Sequence, residues 1–160
     1  MLQRLTVVAA FTVALGACGS NDPQTNERDP GVYAAAIEAV ATEPLGRIAS
    51  GDDDQLVVYA VAADEDNGIS LDVQAAVAEQ LEDVITVRFV DKRSEAVDDS
   101  EPSEPVLEEG VLVVLGRVPS GPSPSVDTER YVDRNHIDRM RVDLQRTGDD
   151  WKVTAVEPLD

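Results

Sequence analysis

The chain has 160 residues, a formal net charge of −19 and only 4% aromatic residues, enough for one domain with an aliphatic core. That charge excludes nucleic acid, whose phosphates need clustered Lys and Arg, and it excludes electrostatic attraction to anionic lipid headgroups. The single cysteine, Cys18, leaves no intrachain disulfide.

Arg4 precedes an apolar run from Leu5 to Leu15, too short to cross a bilayer as a permanent helix. Residues 1–17 therefore read as a signal peptide. The run closes on Leu15-Gly16-Ala17-Cys18: an aliphatic residue, two small residues and a cysteine. This pattern resembles the lipobox of bacterial lipoproteins. The resemblance implies cleavage between Ala17 and Cys18 and a thioether-linked diacylglycerol on Cys18. The chain would then be lipid-anchored on the extracytoplasmic face of the cell membrane. Ala17-Cys18-Gly19 also has the small-x-small form of an ordinary secretory site, which would free a chain starting at Ser20. Leu15 at the right offset and the lack of a partner for Cys18 favour the lipobox. Arg outnumbers Lys 11 to 2, a composition that resembles coding in a GC-rich bacterium. Residues 18–30 carry Cys18 and a flexible polar tether with a mean reach of roughly 20 Å.

Residues 31–160 form one globular domain. Asp29-Pro30 opens a helix with Tyr33, Ala36, Ile37 and Val40 on one face, and Pro44 and Gly46 end it. Leu56 to Ala62 is an apolar run suited to a strand buried on both faces, preceded by Asp52, Asp53 and Asp54. Ser70 or Asp72 caps a second helix with Val73, Val77, Leu81 and Val84 inward. Ile85 to Val90 alternates as a strand, so the region predicts a βαβ unit. Residues 91–109 hold eight acids with Pro102 and Pro105 and read as a mobile acidic loop. Val111 to Val118 is a further strand. Val126 to Val132, Ile137 to Arg146 and Trp151 to Glu157 form an antiparallel meander, turning at Asp133–His136 and Thr147–Asp150. Met140, Val142 and Leu144 share one face, matched by Trp151, Val153 and Ala155.

The predicted class is α+β: two helices on one face of a mixed, mostly antiparallel sheet of five or six strands. The early helix and the terminal Trp-x-Val strand also resemble the NTF2-like cone fold. That alternative implies a pocket binding a small molecule or catalysing hydrolysis or isomerisation, with His136 or a buried carboxylate as base.

Charge is unevenly spread. Residues 50–110 hold 18 acids against three basic residues. Parallel pairing of 56–62 with 85–90 would bring Asp64, Asp66 and Asp91 to one carboxyl-end edge, where open α/β sheets bind ligands. Those oxygens suit a weak Ca²⁺ site, and solvated acidic loops are the competing reading. An EF-hand is excluded, because Ile69 and Ala75 occupy its Gly and Glu positions. The arginines of 126–146 match its acids in number, as cross-strand ion pairs would. His136, the one histidine, sits in a turn between Asp133 and Asp138. No catalytic motif occurs. The expectation is a monomeric, non-enzymatic binding or interaction domain without a resident cofactor. Its partners would be the membrane through the lipid, and an envelope protein or cationic ligand.

Overall fold

The computed structural model describes residues 29–42, 55–64 and 68–160. Leu15, Ala17, Cys18, most of the tether, Pro44, Gly46, Asp52 to Asp54 and Asp66 lie outside the described residues. In chain order the elements are α1 (Pro30–Thr42), β1 (Val57–Ala62), α2 (Leu71–Leu81), β2 (Thr86–Phe89), β3 (Val111–Leu115), β4 (Ser125–Asp133), β5 (His136–Thr147) and β6 (Asp150–Pro158). All six strands join one sheet in the order β2-β1-β3-β4-β5-β6. β1 pairs in parallel with β2 and with β3, and the remaining neighbours are antiparallel. This is the expected α+β architecture, with β1-α2-β2 as its βαβ unit. Among the described residues no helix is long and apolar enough to cross a membrane.

The main core lies on the face covered by both helices. Val32, Ile37 and Val40 of α1 and Val77 of α2 meet Val58, Ala60, Val113, Val126 and Val142 of the sheet. Alternation along β1 follows from its burial on both sides: Val58 and Ala60 face the helices, while Tyr59 and Val61 face the other cluster.

Two inward positions differ from expectation. α2 ends at Leu81, and the N–H groups of Val84 and Ile85 both donate to the Leu81 carbonyl at 2.9 Å. This tight turn leaves the helical period, so Val84 is exposed and Ile85 takes the buried place. In β6 the register against β5 shifts between Asp143 and Leu144: Leu144 opposes Val153, Asp143 opposes Ala155 and Val142 opposes Val156. Thr154 is the extra residue, and its hydroxyl donates to the Asp143 carbonyl at 3.1 Å. The bulge moves the inward place from Ala155 to Val156, which packs on the main core.

Residues 91–109 are an ordered strap across the opposite face. The strap folds back on itself through Leu107 N–H to the Ala96 carbonyl (2.9 Å) and Asp98 N–H to the Pro105 carbonyl (2.9 Å). It is tied to β4 and its turn through Val106 N–H to the Val132 carbonyl (2.9 Å) and Arg134 N–H to the Ser103 carbonyl (2.8 Å). Ala96 and Val106 bury themselves against Tyr59, Val61, Leu112 and Tyr131. The eight acids concealed these two apolar anchors, whose separation along the chain shows neither strand nor helix period.

The first helix is joined to the last strand at one residue. Asp29 accepts the Gly31 N–H through Oδ1 (3.1 Å) and the Trp151 indole N–H through Oδ2 (2.9 Å). Gly31 is required by proximity, because a Cβ there would stand 2.9 Å from the Trp151 ring. Asp29→Ala removes a cap and leaves a mostly buried indole N–H without its acceptor, a loss of about 1–2 kcal/mol. Thermal unfolding followed by Trp151 emission is expected to show a lower Tm and a red-shifted native spectrum; an unchanged Tm contradicts the staple.

Candidate functional site

The crevice arises where the chain leaves β1 and β2. From β1 it turns towards α2 on the helix face. From β2 it turns into the strap on the opposite face. Two adjacent parallel strands whose connections diverge leave a gap at their carboxyl ends, and ligands bind in such gaps. Here the gap is a depression of about 280 Å³ lined by Ala62, Asp64, Ile69, Phe89, Asp91 and Lys92, among others. A second depression of about 200 Å³ shares Asp64 and Ile69 and continues past the end of β3 to Tyr33, Ser70 and Arg117. Gln74 of α2 donates through Nε2 to the Ile69 carbonyl at 2.7 Å, fixing the loop that forms one rim. The Asp91 N–H donates to Glu95 Oε2 at 3.2 Å, which starts the strap and forms the other rim. The lining combines apolar side chains such as Ile69 and Phe89 with charged ones, a mixture that in a small-molecule site divides affinity from orientation.

Of the three predicted carboxylates, Asp64 and Asp91 share this crevice, and Asp66 lies outside the described residues. Among the described residues no three His, Cys, Asp or Glu side chains form a group able to hold a metal ion. Lys92 stands on the same wall as Asp91. His136 is elsewhere. It sits exposed at the β4–β5 turn, with Nδ1 2.8 Å from Asp133 Oδ1. That bond, together with the Asn135 N–H, holds the Asp133 carboxyl below its usual value. Asp138 stands opposite Arg130 in the register.

The expected cross-strand ion pairs are present on the face opposite the helices. Arg141 Nε donates to Asp127 Oδ1 at 2.7 Å and Arg139 Nε to Glu129 Oε2 at 3.1 Å. Both are solvated and contribute little to stability.

Two charged features had no clear sequence signal. Arg130 is 5% exposed, its Nε lacks a hydrogen-bond partner, and burial pushes its pKa down against the pull of Asp138. With Thr128 it completes the buried polar side chains among the described residues. The other feature is a cluster where β1, β2 and the strap meet. Tyr59 and Arg88 are register partners. Tyr59 donates its hydroxyl proton to Glu108 at 3.2 Å and accepts from Arg88 at 3.3 Å, and Arg88 also bonds Glu108 directly. The Arg88 bond holds the Glu108 carboxyl below its usual value, with Tyr59 adding to it, and Glu108 in turn raises Arg88. Tyr59 within a doubly buried strand was the available clue, since a phenol there needs a polar partner.

No protein-family model matches this chain, nor does any curated protein or solved structure.

Two outcomes follow from this geometry. Glu108 is depressed in the folded state, so its contribution is present above the unfolded glutamate pKa and is lost as pH falls through the folded value. Stability measured from pH 7 into the acid range is expected to fall less steeply in Glu108→Gln than in the wild type; parallel curves contradict the assignment. With two carboxylates and Lys92 on the described wall, Ca²⁺ binding at the crevice is expected at millimolar concentration at best. Melting in about 5 mM CaCl₂ should then exceed an ionic-strength-matched NaCl control by no more than about 5 °C, the shift that roughly 1 kcal/mol of binding to a millimolar site gives. A larger rise that Asp64→Asn or Asp91→Asn abolishes would establish a tighter site.

Proposed function

We propose that this protein is a lipid-anchored protein of the cell envelope whose domain binds a small cationic ligand without transforming it. The crevice between the carboxyl ends of β1 and β2 carries this reading. Its lining sets Asp64 and Asp91 against one Lys92, beside the apolar side chains of Ile69 and Phe89. A net charge of −19 adds a long-range field of the same sign. A cation with a short apolar body fits both the charge and the volume. The non-enzymatic part rests on where the candidate bases lie. His136 is exposed in a turn, and no carboxylate is among the buried polar side chains of the described residues. An NTF2-like hydrolase or isomerase would need one of them facing an enclosed pocket.

Anchoring rests on Leu15-Gly16-Ala17-Cys18. Two acyl chains hold a protein stably, and a strongly anionic domain draws no help from anionic lipids. One experiment addresses each half. Mass spectrometry of the mature N-terminus is expected to find an acylated Cys18, and Cys18→Ala should leave the protein unlipidated in the soluble fraction. An unmodified chain beginning at Ser20 contradicts anchoring. Titration of ¹⁵N-labelled protein with small aliphatic and aromatic amines should shift the amides of Asp64, Ile69, Asp91 and Lys92 and lose that response in Asp64→Asn/Asp91→Asn. Amide shifts spread evenly over the acidic surface contradict binding at the crevice.

A further inference from the structure

We propose that residues 91–109 are a releasable strap, opening as one unit from the second face of the sheet while the helix-side core stays intact. The backbone supplies the first observation. Among the described residues three non-glycine positions have positive φ, and all three are glutamates of this segment: Glu104 (48°), Glu108 (56°) and Glu109 (53°). The left-handed region disfavours any residue with a Cβ, and it persists only where the surroundings impose it. What imposes it here is identifiable. Glu104 is ion-paired to Arg134 and Glu108 to Arg88, so two of the three strained residues are the ones whose carboxylates are clamped to the sheet.

The second observation is what the strap covers. Only Ala96 and Val106 of the segment are fully buried, against Tyr59, Val61, Leu112 and Tyr131. The helix face holds a far larger core. Losing the strap contact therefore leaves the main core whole, which is the condition for sub-global opening. Electrostatics acts in the same direction. The segment carries eight acids against Lys92 and Arg93, and its repulsion from the rest of a strongly anionic chain falls when it swings away. Opposing release are the two clamps, the two backbone bonds that tie Val106 and Ser103 to β4 and its turn, the Tyr131 hydroxyl donating to the Glu104 carbonyl (2.7 Å), and Arg93, stacked 3.8 Å from the Tyr131 ring and bonded to Glu129 at 2.8 Å. Both ends are fixed. Val90 N–H donates to the Ala60 carbonyl at 3.0 Å, and Gly110 lies so close to β1 that a Cβ would stand 2.6 Å from the Val57 carbonyl. Motion is thus confined to the segment between them, whose root, Asp91-Lys92, is a wall of the crevice. The device is independent of what the crevice binds.

Amide hydrogen exchange on the full chain tests this. Arg88→Ala/Arg134→Ala removes both clamps from the sheet side and leaves the strap sequence untouched. Amides of 91–109 are expected to exchange about tenfold faster in this variant, and those of β3 and β5 at the wild-type rate. Glu109→Gly relieves left-handed strain at a residue that holds no clamp, and should slow strap exchange about twofold. The proposal is overturned if the double variant leaves strap exchange unchanged, or if strap and β3 amides shift by the same factor. Strap exchange in Glu109→Gly that is unchanged or faster overturns the role of strain.

Discussion

The structure depends on one constraint: β1 is hydrogen-bonded in parallel on both sides. A parallel neighbour cannot be reached by a hairpin, so β2 and β3 must each be entered by a crossover. The first crossover runs from β1 to β2 and the second returns across β1 to β3, in the opposite direction. Crossovers of the same right-handed sense that travel in opposite directions lie on opposite faces of a sheet. That is the observed division. α2 packs with α1 on one face, and the strap buries Ala96 and Val106 on the other. The long segment between β2 and β3 is therefore the second crossover, built without an α-helix and with only two short 3-10 turns, Arg93–Glu95 and Leu107–Glu109. The crevice follows from the same constraint, because connections leaving β1 and β2 for opposite faces part at their carboxyl ends, where Asp64 and Asp91 stand.

The two faces are unequal, and that inequality shapes the rest. The helix face is closed by a staple between sequence-distant ends: Asp29 caps α1 and binds Trp151 of β6, with Arg146 3.9 Å from the same carboxylate. Aliphatic side chains fill the space between. The second face has a small cluster under the strap and, beyond it, open ion pairs on β4 and β5. Stability accordingly resides on the helix side, while the strap is held by two small apolar anchors, Ala96 and Val106, and by polar contacts that water can replace.

What was legible in the sequence was periodic. Tyr33, Ala36, Ile37 and Val40 declare α1, the run 56–62 declares a strand buried on both faces, and alternation with turn residues declares the meander. The equal numbers of acids and arginines along 126–146 announced cross-strand ion pairs, and the structure supplies which: Asp127–Arg141 and Glu129–Arg139 among them. What was not legible depended on single residues that break a period. A bulge at Thr154 exchanges Ala155 for Val156, and a tight turn after Leu81 exchanges Val84 for Ile85. The strap was hidden because its two anchors stand ten positions apart among acids, and only the sheet order reveals that the segment must cross a face. Asp64 and Asp91 were placed together correctly because parallel pairing of β1 and β2 was the one topological inference the crevice required.

The charge distribution connects these features to the crevice. β4 and β5 neutralise their own acids through cross-strand arginines, and those pairs contribute little beyond register. The excess negative charge is left on the first part of the sheet, on α2 and on the strap. Two of the strap's acids are consumed by Arg88 and Arg134, while Asp91 and Lys92 are committed to the crevice wall. The strap and the crevice wall thus belong to the same acid-rich part of the chain, with Asp91 common to both.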